Sequence, residues 1–335
     1  AELHKILGGG DPAKAKRDAK TAPTFEDFAT DYIEKYAKRR KRSWQRDDEV
    51  LKRDVLPEWG ERKAREIRRA DVLDLVEAIR DRGAPIAANR TLALIRRMFN
   101  WALERDAYGI EANPAHKIKA PAAENQRDRV LTADEIKALW SRLPDTDLTE
   151  PLQIAIKLAL VTAQRKGEVL GAAKAEFDLK AGWWTIPAAR AKNKLAHRVP
   201  LSPLAVTLIE RAMVLAKDSP HLFPSPRGKA EPEKRKPVLD SALNRAVLRN
   251  AETFGIEHWT PHDLRRTAAS HMAGMKVPRL VISKILNHVE RGVTAVYDRH
   301  SYDDEKRAAL EQWAERVEAI TGKKRKPAKV VRVRA

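Results

Sequence analysis

Apolar residues recur at helical spacing through the first third of the chain. Thr24 is a typical N-cap residue with acidic residues just after it, and Phe25, Phe28 and Tyr32 then lie on one apolar stripe. The same spacing predicts three further helices, within residues 43–60, 69–83 and 88–106. The pattern therefore predicts a small helical domain at this end of the chain.

A second set of apolar segments begins beyond a polar linker. Thr132, with Glu135 three positions later, predicts a capped helix, and residues 151–172 form a strongly apolar helical stretch that becomes polar at its end. Residues 182–202 contain short extended runs around a basic middle, which predicts β-strands joined by a turn near Lys192–Leu195. Helical spacing resumes in residues 203–216, 239–252, 261–274, 277–288 and 293–322.

These patterns divide the chain into five parts: a connector over residues 1–23, a helical domain over 24–116, a linker over 117–129, a second domain over 130–322 and a basic tail over 323–335. In the last predicted helix, Leu310, Trp313, Val317 and Ile320 form an apolar face. That face has to pack either on its own domain or on another molecule.

Composition favours a polyanionic partner. The 335 residues include 66 Lys and Arg against 47 Asp and Glu, a formal net charge of +19, which points to nucleic acid first and to an acidic membrane surface second. The sequence contains no basic amphipathic membrane anchor. It contains no cysteine, which excludes disulfides and thiolate chemistry. Without a long apolar span or a signal-peptide pattern, we expect an intracellular soluble protein, and Ala1 in place of a methionine suggests a processed form or a fragment.

Candidate chemistry begins with "PHDLRRTAASHM", residues 261–272. Thr260, Pro261 and Asp263 together predict a helix start, since they suit the N-cap, N1 and N3 positions. His262 then lies in the first turn, near unpaired backbone N–H groups that favour an anion, and Arg265 shares its face. By itself this H-x-x-R spacing is a weak signal.

Other residues strengthen the signal from this H-x-x-R spacing. Arg165 in "TAQRKGEVLGA" is followed by Glu168, which can hold its guanidinium, and Lys192 lies in a basic turn before "HRVPLS". His288 ends an apolar helix in "LNH", and Tyr297 follows nine residues later. In order and spacing, these motifs resemble those of the tyrosine recombinases, the phage integrase family. Two departures are mild: "TAQR" lacks the usual glycine before the arginine, and "LNH" replaces L-G-H.

The resemblance implies a mainly α fold with a small β-sheet. A helical core-binding domain over residues 24–116 and a catalytic domain over residues 130–322 would form a C-shaped clamp on duplex DNA. Residues 3–18 further resemble the end of the arm-binding domain of prophage integrases, most of which is absent from this sequence.

The resemblance also implies that Arg165 and Arg265 hold the scissile phosphate. The residue type suits that task, because a guanidinium is a permanent, planar charge that matches phosphate geometry. With Tyr297 as the nucleophile, His262 would accept its proton and His288 would donate a hydrogen bond to the phosphate. A free phenol has a pKa of about 10, so cations and a base are needed to ionise it.

Lys192 would be the general acid for the leaving 5′ oxygen. Two arginines, a lysine and histidines can do the work of a divalent metal, so we expect no metal and no cofactor. Two alternatives stay open within this set. Lys194 lies two residues from Lys192 on the same turn, and Tyr302 competes with Tyr297 either as the nucleophile or as a packing residue. We expect His271 to be structural.

Further basic residues are candidates for DNA contacts. The run at residues 38–43 contains Lys41 and Arg42, a later helix carries Asn89 and Arg90, and Arg266 adjoins the H-x-x-R arginine. An ordinary solvated face explains the same charges equally well.

The sequence therefore predicts a site-specific recombinase that cuts and rejoins DNA through a 3′-phosphotyrosine and a Holliday junction. Expected partners are double-stranded DNA, three further copies in a tetramer joined through the C-terminal helix, an excisionase and a DNA-bending host factor, with no membrane. We expect it in the bacterial cytoplasm at the nucleoid. The alternatives are a type IB topoisomerase-like enzyme and a catalytically inactive DNA-binding regulator on the same fold.

Overall fold

The computed structural model describes residues 22–124, 127–226, 231, 234–288 and 300–322. It divides into two compact units, Ala1–Gln126 and Arg127–Ala335. The described part of the first unit is helical: α1 (Phe25–Tyr32), α2 (Trp44–Val50), α3 (Arg69–Asp81) and α4 (Pro85–Leu103). Shorter segments extend or join them: π-helical turns at Ile33–Ala37 and Leu51–Val55, helical turns at Lys38–Arg40 and Leu56–Trp59, and a 3₁₀ turn at Ala64–Glu66.

Aromatic packing holds the first unit together. Phe25 and Phe28 of the predicted stripe are fully buried, with Phe25 edge-on to Trp59 at 5.2 Å and Phe28 edge-on to Phe99 at 5.4 Å between ring centroids. Thr24 caps α1 as predicted, since its hydroxyl accepts a hydrogen bond from the backbone N–H of Asp27. The apolar stripe of α1 therefore faces the helical turn Leu56–Trp59 and α4.

The second unit is mainly helical with one small sheet. Its first half comprises α5 (Ala133–Arg142), α6 (Glu150–Thr162), α7 (Lys166–Leu170), β1 (Phe177–Asp178), β2 (Trp183–Ile186) and β3 (His197–Pro200), with 3₁₀ turns at Leu143–Asp145 and Lys174–Glu176. Its second half comprises α8 (Pro203–Ala216), α9 (Asp240–Arg249), α10 (Ala251–Phe254), α11 (Pro261–Gly274), α12 (Arg279–Ile285) and α13 (Asp303–Thr321).

The three strands form an antiparallel sheet in the order β1-β2-β3. Trp184 of β2 lies opposite Val199 of β3, and both side chains are buried. The predicted strands and the turn between them are confirmed, whereas β1 was not predicted. With only two residues, β1 is too short to show the alternation that identifies a strand.

The helix predicted over residues 151–172 is interrupted in the structure. Residues 151–172 do not form one helix: α6 ends at Thr162, and Ala163 takes a left-handed conformation with φ of 55°. Gln164 is buried there, and its side-chain amide donates to the carbonyls of Thr162 and Ile285. The chain then starts α7 directly after Arg165, so that the break sets the position of that arginine.

The apolar face of α13 packs within its own unit. Leu310, Trp313 and Val317 are all buried, and the Trp313 indole donates to the carbonyl of Leu160 in the last turn of α6 at 2.9 Å. The face that was expected to join neighbouring copies is therefore occupied inside the same molecule. No helix among the described residues has the length and apolarity needed to span a membrane.

We expect replacement of Trp313 by Phe to destabilise the second unit by about 1–3 kcal/mol, because the buried Leu160 carbonyl loses its donor. Replacement by Ala should cost about 3–5 kcal/mol through the cavity it adds. Urea denaturation measures both values. Gln312→Ala changes an exposed residue of the same helix and serves as the control. Equal stability of Trp313→Phe and wild type would contradict the packing of α13 on α6.

Candidate active site

The start of α11 is organised around Asp263, whose side chain is fully buried. Its carboxylate accepts hydrogen bonds from the backbone N–H of Thr260 at 2.8 Å and from Arg266 at 2.6 Å, and it forms an ion pair with Arg127 at 2.9 Å. The predicted helix start is thus confirmed. It places His262 at the surface, and it gives Arg266 an acidic partner inside the unit.

Arg165 and Arg265 converge on one backbone carbonyl, that of Leu286. Arg265 is 4% exposed and also donates to the carbonyl of Ala163 at 2.9 Å. Arg165 reaches the Leu286 oxygen at 3.5 Å, and its guanidinium is held by the Glu168 carboxylate at 2.9 Å. Two arginines that are 100 residues apart in sequence therefore lie side by side.

The adjacent carbonyl, at the end of α12, is bound in the same way. The Ile285 oxygen accepts from Gln164 at 3.0 Å and from the Nε2 atom of His197 at 3.1 Å. A carbonyl only accepts, so His197 carries its proton on Nε2. Helix-terminal carbonyls lack partners within their own helix, and here side chains from α6–α7, β3 and α11 supply them.

His288 lies two residues beyond Leu286. Its backbone N–H donates to the carbonyl of Ser283 at 3.1 Å, and Asn287 takes a left-handed conformation with φ of 48°. This turn brings the His288 imidazole to the surface beside the two arginines. Partial burial, followed by the charges of Arg265 and Arg165, lowers the pKa of His288.

Lys192 lies on the turn between β2 and β3 and is exposed. The next residue, Asn193, donates through its amide to the Asn287 side chain at 2.8 Å and to its backbone carbonyl at 3.3 Å. This turn is therefore joined to the segment that carries His288. The neighbouring Lys194, also exposed, takes a left-handed conformation with φ of 61°.

Positive charge dominates the electrostatics of the cluster. Partial burial, followed by the charges of Arg266, Arg265 and Arg165, lowers the pKa of His262. Burial and then the charge of Arg165 lower the pKa of Arg265 to about 9, so it is still protonated near neutral pH. His262 and His288 are thereby favoured in their neutral forms. The structure thus brings Arg165, Arg265, His262 and His288 together, with the Lys192 turn tied to the same segment.

Tyr297 falls outside the described residues. The competing Tyr302 is partly buried against the core of the second unit, with its ring 4.6 Å from that of His300 and the Lys284 ammonium 5.0 Å from its centre. These contacts fit a packing residue. His271 is structural as expected, since its Nε2 atom bonds to the Leu131 carbonyl at 2.9 Å.

The candidate DNA contacts of the first unit differ in how exposed they are and in which partners they have. Asn89 is only 7% exposed, and its amide bonds to the backbone of Ala122 and to Glu124, so it links α4 to residues 122–124 and is not available to DNA. Arg90 also pairs with Glu124, at 3.1 Å.

The other two candidates, Lys41 and Arg42, follow the helical turn Lys38–Arg40. Lys41 forms an ion pair with Asp47 and Arg42 is exposed. No three His, Asp or Glu side chains gather as a metal-binding group within the described ranges.

Three residues that position the site were not predicted from the sequence: Gln164, His197 and Asn193. Gln164 and Asn193 act through partners more than 90 residues away, which leaves no local pattern. His197 had a signal, because alternation along "HRVP" places it on the inner face of β3 with Val199.

His197 gives a pH prediction. Burial lowers the pKa of His197 from 6.5 to about 4. The unfolded chain therefore takes up this proton at a higher pH than the folded protein does. The stability contributed by neutral His197 is complete above pH 6.5 and falls, by about 3 kcal/mol in all, as the pH drops towards 4.

We expect His197→Gln, which keeps a donor for the Ile285 carbonyl without titrating, to flatten this dependence. Urea denaturation at pH 7 and pH 4.5 measures it. His258→Gln, at an exposed position, should leave it unchanged. Parallel stability curves for His197→Gln and wild type would rule out His197 as the source.

Comparison with known proteins shows which family the chain resembles. The sequence model of the phage integrase family matches residues 129–304, and that of the phage integrase central domain matches residues 25–121. Prophage integrase IntA of Escherichia coli K12 is 27% identical over 272 residues, which is 80% of this chain and 63% of that protein. The integrase of Shigella phage Sf6 is 26% identical, over 92% of this chain and 79% of its own length.

Solved structures match as well. A lambda integrase tetramer bound to a Holliday junction superposes with a TM-score of 0.66 and 16% identity, over 84% of this chain and 82% of that one. The chain spans 63% and 65% of the lengths of prophage integrases IntA and IntZ from Escherichia coli K12. Since the family model alone covers more than half of the sequence, the chain belongs to the phage integrase family.

Proposed function

We propose that this protein is a site-specific DNA recombinase that cleaves and rejoins DNA strands through a 3′-phosphotyrosine and a Holliday junction, integrating or excising a mobile element. The observation that carries the proposal is the convergence of Arg165 and Arg265 on the Leu286 carbonyl, beside His288 and His262. Such a group of fixed cations suits the charge that builds on a phosphate under attack.

Both arginines have N–H groups that these protein contacts do not use. Each guanidinium has five N–H groups, and the contacts of Arg265 with Ala163 and Leu286 use one N–H on each terminal nitrogen. We assign the remaining N–H groups to the non-bridging oxygens of the scissile phosphate. The buried setting of Arg265 keeps these donors in place, so little reorganisation is needed when the phosphate arrives.

The proton transfers follow from the lowered pKa values of the histidines. A neutral His262 can accept the phenolic proton of Tyr297, whose oxygen then attacks phosphorus. The bond to the 5′ oxygen breaks, and Lys192 protonates that oxygen as it leaves. His288 donates a hydrogen bond to a phosphate oxygen. Rejoining reverses these steps, and the phosphotyrosine conserves the bond energy, so no ATP is consumed.

We further propose double-stranded DNA as the partner, contacted by Lys41, Arg42, Arg90 and Arg266 as well as the catalytic group. The net charge of +19 supports this. Tetramer formation on DNA is proposed from the lambda integrase likeness, with a surface other than the buried face of α13. We also propose an excisionase and a DNA-bending host factor as partners, and a location at the bacterial nucleoid.

Covalent trapping on a nicked suicide DNA substrate tests the reaction class. We expect wild type to form a protein–DNA adduct, seen as a slow band on a denaturing gel, and Tyr297→Phe to form none, because only the phenolic oxygen has been removed. Tyr302→Phe is the matched control and should form the adduct.

The pattern of bands decides between the alternatives. A band that survives Tyr297→Phe and disappears with Tyr302→Phe would move the nucleophile. Tight DNA binding without a band from any variant, over a pool of fragments from the host element, would favour the inactive regulator. Relaxation of supercoiled DNA of any sequence by monomers would favour the topoisomerase.

Arg265→Lys should slow adduct formation by about 10²–10³-fold while DNA affinity changes little. A lysine keeps the charge but cannot bridge Ala163 and Leu286 while also holding a phosphate. Single-turnover cleavage and gel-shift titration measure the two effects. Arg211→Lys, which alters an exposed pair with Glu150, is the control. A rate within a few-fold of wild type would remove Arg265 from the phosphate clamp.

A further inference from the structure

All three guanidinium nitrogens of Arg190 donate hydrogen bonds within the second unit. Its Nε and Nη2 atoms donate to the two Glu176 carboxylate oxygens at 2.7 and 2.5 Å, and both terminal nitrogens donate to the Glu168 carbonyl at 3.2 Å. Glu176 is itself fixed, since the indole of the buried Trp184 donates to it at 3.0 Å. Arg190 thus joins the β2–β3 turn to α7 and to the 3₁₀ turn Lys174–Glu176.

A glycine makes room for this contact. A Cβ atom at Gly171 would lie 2.7 Å from the Nη1 atom of Arg190, closer than two such atoms can approach. The backbone at Gly171, with φ of −84°, is open to any residue. The guanidinium and, at 3.0 Å, the Gly167 carbonyl oxygen together leave no room for a side chain at Gly171.

Arg190 lies two residues before Lys192 and anchors one side of its turn. The intervening Ala191 is fully buried and its N–H donates to the Pro187 carbonyl at 3.1 Å, while Asn193 on the other side bonds to Asn287. The exposed lysine is therefore held from both sides. One anchor lies on the helix that begins after Arg165, and the other lies beside His288.

We propose that Arg190, through Glu176 and the Glu168 carbonyl, is the positioning residue that aims Lys192 at the leaving 5′ oxygen. This inference rests on the proposed function. Arg190 itself does not touch the reacting atoms, because its guanidinium is directed to Glu176 and α7. A lysine side chain is long and flexible, so its aim depends on how firmly its backbone is held.

A substrate with sulfur in place of the 5′-bridging oxygen separates positioning from other roles. An alcohol with a pKa near that of water, about 15.7, needs a proton as it leaves, whereas a thiol with a pKa of about 8.5 leaves as a thiolate. Attack by Tyr297 then breaks the phosphorus–sulfur bond without a general acid. A variant impaired only in delivering the proton should recover on this substrate.

We expect Arg190→Met to slow single-turnover cleavage of the oxygen substrate by about 10- to 100-fold, part of the roughly 10²–10⁴-fold that general acid catalysis supplies. On the sulfur substrate it should cleave within about three-fold of wild type, as should the benchmark Lys192→Met. DNA affinity should stay unchanged. Gly171→Ala, which displaces the guanidinium tip without removing it, should show the same pattern more weakly.

Arg211→Met is the matched control, because it removes a two-pronged arginine–glutamate pair that joins α8 to the first turn of α6. It should cleave both substrates like wild type. The positioning role is overturned if Arg190→Met and Gly171→Ala each cleave the sulfur substrate as slowly as the oxygen substrate. It is also overturned if neither variant is slower than wild type on the oxygen substrate.

One other outcome also overturns it, and another overturns the proposed function. If the sulfur substrate restores cleavage by Lys194→Met and does not restore cleavage by Lys192→Met, Lys194 is the general acid. Wild type that cleaves neither substrate would instead overturn the proposed function, a result that is distinguishable because every variant would then be inactive alike.

Discussion

The carboxyl end of α12 is the point on which the rest of the site depends. Its last carbonyls have no partners within the helix and carry the negative end of the helix dipole. Gln164 and His197 bind the Ile285 oxygen, and Arg165 and Arg265 bind the Leu286 oxygen. One helix end therefore brings together the break between α6 and α7, strand β3 and helix α11. His288 follows directly, so the same contacts that hold the arginines also set its position.

This arrangement leaves the site short of negative charge. A buried charge is costly unless it is paired, yet the hydrogen-bond partners of Arg265 are neutral carbonyls. The nearby carboxylate of Glu168 bonds to Arg165. The effect is visible in the lowered pKa values of Arg265, His262 and His288, each of which has burial as its largest cause and a neighbouring arginine among the others. An anion bound between the arginines would relieve that repulsion, so the folded protein has an electrostatic preference for negative charge at this place.

The sequence predicted features that depend on local pattern and failed where distant contacts decide. The stripe of α1, the capping of α5 and the pairing of Arg165 with Glu168 each involve residues at most four apart, and all are confirmed. The break after Thr162 was missed because the partner of Gln164 lies 121 residues away. The burial of Asn89 was missed for the same reason, since Ala122 and Glu124 are distant in sequence. The candidate catalytic residue types were recognisable from the family resemblance, but the carbonyls that position them carry no sequence signature.

Lys192 differs from the other candidate groups in how it is held. Buried contacts fix the side chain of Arg265 directly, whereas Lys192 is exposed and, within the described part of the chain, is held through its backbone neighbours. Those neighbours lead back to the same two places, since Arg190 bonds to the Glu168 carbonyl of α7 and Asn193 to Asn287. A shift at the end of α12 would therefore move His288, both arginines and the lysine turn together. Groups coupled in this way act as one unit, so losses from single substitutions among them should not add.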